Sequence, residues 1–151
     1  MNKGRLRACV QYFAQEPLRL NMGTWVDTDH QTRHFKNPPC GTVACLAGSA
    51  MVLEAQALGL KSWYDACQPG ESYEQFGMRY FDLTKQQVNA LFYTTNWPFI
   101  YAKLYEDFAH DFYECRHPHL APYIKKQMVN ILSMRIEDFI TTEDTTYIEQ
   151  N

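Results

Sequence analysis

Residues 42–59 read TVACLAGSAMVLEAQALG and form the most regular segment of the chain. Thr42 is placed to cap the N-terminus of a helix that runs to about Ala57, and Gly59 follows as its C-terminal stop. Small side chains fill the first half of this helix, and they let a neighbouring backbone approach closely. We therefore predict that residues 44–50 form the tight crossing point of a helical core.

Helical spacing continues on the N-terminal side of this segment. Apolar residues recur every three or four positions over residues 3–16, which predicts a helix. Pro17 ends that helix because proline cannot continue the hydrogen-bond ladder. A long loop around Trp25 follows and reaches Gly41, with room for a small two-stranded element. Loops of this length in a compact domain usually carry function.

Caps and periodicity predict four further helices downstream. Ser72 caps a short helix, and Thr84-x-x-Gln87 is a capping box that opens the next one. Two longer helices follow, at about residues 98–114 and 121–140, and each carries an apolar stripe at helical spacing. The stripe of the first is expected to face inward with these residues: Tyr101, Leu104, Tyr105, Phe108 and Phe112.

The chain has the length and composition of one globular domain. It holds 151 residues, of which 46% are hydrophobic and 21% are charged. We predict an all-α fold, with a single compact domain of five to six helices over residues 1–141 and a long loop in its N-terminal half. Residues 142–151 are predicted to form an acidic polar tail. No apolar run approaches the length needed to span a bilayer.

Charge and cysteine content restrict the partners and the compartment. The net charge is −3, and residues 135–151 hold one arginine against five carboxylates. A nucleic-acid-binding protein needs a surplus of Lys and Arg on one face, so we predict no nucleic-acid partner and no membrane partner. The basic start has no apolar stretch behind it, unlike a signal peptide. Five cysteines without framework spacing then favour reduced thiols in the cytoplasm.

Three sequence blocks occur in a recognisable order. They are MGTW at residues 22–25, CGTVACLAG at residues 40–48, and the stretch from YFDLT at residue 80 to NWP at residues 96–98. With these blocks, residues 3–98 resemble a widespread family of small, uncharacterised proteins from bacterial and bacteriophage genomes. The resemblance implies a phage or mobile-element setting, and it carries no mechanism. Ser49 departs from the family pattern, in which a large aromatic residue or His is more usual, and residues 99–151 have no counterpart.

Cysteines flank the predicted start of the second helix. The partial positive charge of a helix N-terminus lowers the pKa of a thiol, so Cys40 or Cys45 is a candidate nucleophile. His34, like His30, lies near enough in sequence to act as general base. The alternative is that both cysteines are small packing residues, which is the commoner role of a free cysteine. A cysteine-dependent hydrolase or transferase is therefore the second function class to consider.

Two polar clusters contain residue types that bind metals. The first combines His30, His34, Cys40 and Cys45. Its spacing matches no standard zinc pattern. The second shares one face of the helix at residues 98–114 and consists of Asp107, His110, Asp111 and Glu114. No other helix supplies the matching Glu-x-x-His, so we interpret this face as solvated, and we predict neither a metal nor a cofactor.

The aromatic content favours a binding protein. Beside nine Phe, the chain has ten Tyr and three Trp, which bring more OH and NH groups than a core of this size satisfies. Surplus surface Tyr and Trp are typical of interfaces. We predict a small non-catalytic binding module that engages a host or phage protein or sequesters a small ligand, for example as a counter-defence factor. Self-association is left open. The candidate binding residues are Trp25, Cys40, Gly41, Thr42 and Trp97.

Overall fold

A computed structural model describes residues 1–22, 26–27 and 43–142 of the chain. Within these ranges there are six α-helices: α1 Lys3–Gln15, α2 Leu46–Ala57, α3 Tyr73–Phe81, α4 Lys85–Phe92, α5 Phe99–Glu114 and α6 Ala121–Thr142. Short 3-10 turns follow α1, α2, α4 and α5 at Pro17–Arg19, Trp63–Ala66, Thr94–Asn96 and Pro118–Leu120. The predicted all-α fold is confirmed. None of the described helices has both the length and the apolar character needed to cross a membrane.

Two very short strands interrupt the helical pattern. β1 (Val26–Asp27) and β2 (Val43–Ala44) pair antiparallel, with Val26 opposite Ala44 and Asp27 opposite Val43. The small two-stranded element expected near the long loop is therefore present, and its second strand lies directly after that loop.

The start of α2 differs from the prediction. Its N-cap is Cys45 rather than Thr42, and the Cys45 Sγ accepts a hydrogen bond from the Gly48 N–H at 3.5 Å. The physical reason is that Val43–Ala44 is extended and paired with β1, so the helix begins only after this strand has ended. Thr42 itself lies outside the described residues.

The end of α2 is confirmed as a glycine stop. Gly59 has a φ of +67°, in the left-handed region that glycine adopts without steric cost. Its N–H donates to the Gln56 carbonyl at 3.2 Å, while the Leu60 N–H donates to the Ala55 carbonyl at 2.8 Å. These two bonds form a Schellman motif, which satisfies the last carbonyls of the helix.

α3 and α4 form a tight pair. Both begin with the capping boxes expected from the sequence, at Ser72 with Gln75 and at Thr84 with Gln87. Gly77 allows the two helices to approach, because a Cβ at this position would lie 2.3 Å from Cε2 of Phe92. The fold therefore requires glycine here for space.

α5 and α6 form an antiparallel hairpin. The Nζ of Lys125, near the start of α6, lies 4.3 Å from the ring centre of Phe112, near the end of α5. The stripe predicted to face inward is only partly correct, since Tyr105 is buried but Leu104 is 39% exposed. The exposed part of α5 is therefore wider and more apolar than the periodicity indicated.

Two buried cations hold α6 against the rest of the domain. Lys125 donates from Nζ to the Leu20 carbonyl, which follows the turn after α1. Arg135 is fully buried and donates from Nη2 to the Ala90 carbonyl of α4 at 3.2 Å. These bonds join α6 to two segments that are distant in sequence.

Candidate functional site

Cys45 lies at the helix N-terminus, but in the wrong environment for a nucleophile. Its side chain is 4% exposed. Burial raises the pKa of the Cys45 thiol to about 11, and the hydrogen bonds from the start of α2 offset this only in part. Cys9 of α1 is also buried, and burial raises the pKa of its thiol to about 12. Both thiols are therefore protonated at neutral pH, and this disfavours thiolate chemistry at Cys45.

Trp97, which was predicted as a binding residue, is buried in the core. It is 4% exposed, its Nε1–H donates to the Leu91 carbonyl at 2.8 Å, and its ring packs edge-on against Tyr105 with 5.3 Å between centres. Trp97 thus connects the end of α4 to the inner face of α5. The other predicted site residues lie outside the described residues: Trp25, His30, His34, Cys40, Gly41 and Thr42.

The polar face of α5 is exposed, as expected for a solvated face. Asp107, His110, Asp111 and Glu114 are all exposed, and Asp107 forms an ion pair with Lys103 at 2.5 Å. Over residues 1–22 and 43–142, no group of three or more His, Cys, Asp and Glu side chains is arranged to hold a metal ion.

An apolar patch lies on the outer side of α5. The α5–α6 hairpin carries seven of the nine large hydrophobic side chains that are exposed in the described ranges: Phe99, Ile100, Leu104, Tyr113, Leu120, Tyr123 and Met134. Phe99 is 80% exposed and Ile100 is 63% exposed, which is unusual for side chains of this size. Ile100 and Leu104 are one turn apart on the same side of the helix, and Phe99 precedes Ile100 in the first turn of α5. We call these three residues the α5 patch.

Phe99 and Ile100 were not among the residues predicted from the sequence to bind a partner. The signal was available, because both fall outside the stripe of apolar residues that turns towards the core.

An acidic segment continues from the α5 patch along the same helix. Glu106, Asp107, Asp111 and Glu114 face solvent here, with Lys103 as the single cationic side chain among them. Because Lys103 pairs with Asp107, three of the four carboxylates face water without a cation from α5. The outer side of α5 therefore combines an apolar end with a negatively charged end.

A separate cleft lies between α1 and α2. Its volume is about 460 Å³, and it is lined by Ala8, Gln11, Tyr12, Gln15, Arg19, Leu53 and Gln56. Arg19 is the single charged residue among these described lining residues. The sequence contains no local signal for this cleft, because its lining comes from two helices about 40 residues apart along the chain.

Comparison of the chain with protein-family models, with curated proteins and with solved structures found no match.

Proposed function

We propose that this protein is a small, non-catalytic binding module that engages another protein through the α5 patch and the acidic segment beside it. Its partner presents apolar side chains flanked by lysine or arginine, as a basic amphipathic helix does. The observation that carries the proposal is the exposure of Phe99 and Ile100, at 80% and 63%, on a helix whose other side is packed into the core.

The exposed side chains of the α5 patch gain free energy when a partner covers them. Large exposed apolar groups that lie together stabilise a complex when they are removed from water, at roughly 25 cal/mol for each Å² of apolar surface. Phe99 contributes little to folding, because most of its side chain is in water in the folded chain. Aromatic and aliphatic anchors of this kind are typical centres of protein interfaces.

Charge decides which class of partner fits. Three α5 carboxylates have no cation from their own helix, and a basic partner would supply it. Two copies meeting through this segment would bring like charges together, which is unfavourable. An anionic partner such as nucleic acid would be repelled in the same way.

The environment of Cys45 supports a non-catalytic role. Its protonated, buried thiol is unsuited to the nucleophilic alternative. The three sequence blocks and their resemblance to phage and bacterial proteins support a mobile-element setting, with the protein acting in the cytoplasm of a bacterial host. Interference with a host defence protein would be one such role.

The proposal is tested with a synthetic amphipathic peptide of leucine and lysine, and with its leucine–glutamate counterpart, by isothermal titration calorimetry. We expect the lysine peptide to bind and the glutamate peptide not to bind. The double variant Phe99→Ser/Ile100→Ser should weaken binding at least about tenfold, because it removes two apolar anchors. Leu58→Ser is the matched control, since Leu58 is 61% exposed on the far end of α2.

Three outcomes would contradict the proposal. The first is equal binding of the two peptides, and the second is equal loss of binding in the Leu58→Ser control. The third is a dimer in sedimentation velocity that dissociates in the Phe99→Ser/Ile100→Ser variant, because the patch would then be occupied by a second copy.

A further inference from the structure

We infer that the cleft between α1 and α2 binds a peptide C-terminus, with Arg19 holding its carboxylate and the glutamine amides holding its backbone. This site lies apart from the α5 patch and does not depend on the function proposed for that patch. The cleft volume of about 460 Å³ is in the range of small-ligand sites.

Arg19 is fixed in place by two contacts with α1. Its Nη1 donates to the Tyr12 carbonyl at 3.2 Å, and its guanidinium carbon lies 4.5 Å from the centre of the Tyr12 ring. In the described part of the chain, no carboxylate forms an ion pair with Arg19. A guanidinium held over an aromatic ring has already lost most of its rotamer freedom, so binding a carboxylate costs little further ordering.

The amides beside Arg19 fit a peptide backbone. Gln11 and Gln15 are one turn apart on α1, and Gln56 faces them from α2. Each primary amide offers both a donor and an acceptor, which is what a peptide unit requires. Half-buried Leu53 adds an apolar wall that suits the side chain of the terminal residue.

The charge of the cleft favours a carboxylate over a phosphate dianion. Among the described residues that line the cleft, Arg19 is the only cation, so a single negative charge is neutralised and a second one is not. α1 ends at Gln15 and α2 ends at Ala57, so the negative ends of both helix dipoles oppose any anion in the cleft, and they oppose a dianion about twice as strongly as a carboxylate that Arg19 neutralises. A dianion would be disfavoured there.

The test is an NMR titration of the isotope-labelled full chain with N-acetyl-alanyl-alanine, with its C-terminal amide, with acetate and with inorganic phosphate. We expect saturable shifts at Gln11, Gln15 and the Arg19 Nε–H with the free acid. The amide should bind at least about tenfold less tightly, because it lacks the charge-assisted hydrogen bonds to arginine. Acetate and phosphate should also bind less tightly than the peptide acid.

Variants of Arg19 test whether this side chain binds the carboxylate of the peptide. Arg19→Gln should reduce affinity at least about tenfold, while Arg19→Lys, which keeps the charge without the planar fork, should lie between. The matched control is Arg116→Gln, which removes an exposed arginine outside the cleft and should bind like the wild type.

The inference is overturned if the acid and the amide bind equally, if acetate or phosphate binds as tightly as the peptide acid, or if the shifts map to α5. It is also overturned if Arg19→Gln, shown to be folded by its melting curve, binds the peptide unchanged. A failure of the α5 proposal would leave this result unaffected, because the probes and the residues differ.

Discussion

Burial of Lys125 couples folding to protonation. Desolvation lowers the pKa of its amine from the usual 10.5 to about 8. Between these two values the unfolded chain holds a proton on Lys125 that the folded chain has released. The free energy of unfolding contributed by this lysine therefore rises with pH from about 8 to about 10.5, and it is constant below pH 8.

Lys125→Met should remove this pH dependence. We expect the stability of the variant relative to wild type to be greatest below pH 8 and to decline as the pH rises to 10.5, by up to about 3 kcal/mol. Urea unfolding of both proteins across this range, followed by circular dichroism, measures the difference. Cys9 and Cys45 titrate in the opposite direction, since burial raises their pKa values, but they do so equally in both proteins. A difference that is constant with pH would contradict this account.

The burial of the two cations could not be predicted from the sequence. Lys125 and Arg135 occupy inward positions of α6, as the periodicity of that helix allows. Their acceptors, the Leu20 and Ala90 carbonyls, come from distant segments. Nothing local marks those carbonyls, so the residue type alone would have placed both side chains in solvent.

Gly77 decides how closely the helices α3 and α4 pack. Gly77→Ala should destabilise the protein by about 1–3 kcal/mol, because the new Cβ would lie 2.3 Å from the Phe92 ring and one of the two must shift. Gly4→Ala is the control, since a Cβ there meets only Oδ1 of Asn2 at 3.7 Å. That variant should be unchanged or more stable by up to about 1 kcal/mol, since alanine favours a helix. Equal melting temperatures of the two variants would refute the close approach.

The ends of the helices were predicted correctly where the contacts that set them are local in sequence. The caps at Ser72 and Thr84 were predicted correctly because each is a contact between residues three apart. The start of α2 was mispredicted because Val43–Ala44 pairs with Val26–Asp27, across 15 intervening residues. Local helix propensity carries no information about such a pairing.

One core joins all six helices, so the buried thiols report on the whole molecule. Cys9 and Cys45 should resist iodoacetamide in the native protein, whereas Cys67 and Cys115, which are half-buried, should react. When alkylation is mapped by mass spectrometry across a urea series, Cys9 and Cys45 should become labelled at the urea concentrations that unfold the core, and not below them. Rapid alkylation of Cys45 in native buffer would instead restore the nucleophile hypothesis.

The aromatic content of the whole chain favours an interface. It does not show where on the molecule that interface lies. Trp97 was chosen from its sequence block and belongs to the core. Phe99, two residues later, is exposed because the helix begins there and turns it outward. The composition does not say which of two neighbouring aromatic residues is buried, although the spacing of the inward stripe of α5 leaves Phe99 outside it.

In the proposed binding role, the division of α5 into two sides separates folding from recognition. Tyr105 and Phe112 hold the helix to the domain from within, while Phe99, Ile100 and Leu104 contribute little to that packing. Mutations on the outer side of α5 can therefore accumulate, because they cost little stability and selection for folding does not remove them. A lineage that must follow a changing partner can respecify this surface in single steps and keep its scaffold. The same freedom makes the hairpin a suitable site for randomised libraries, in which new binding specificities are selected on an unaltered core.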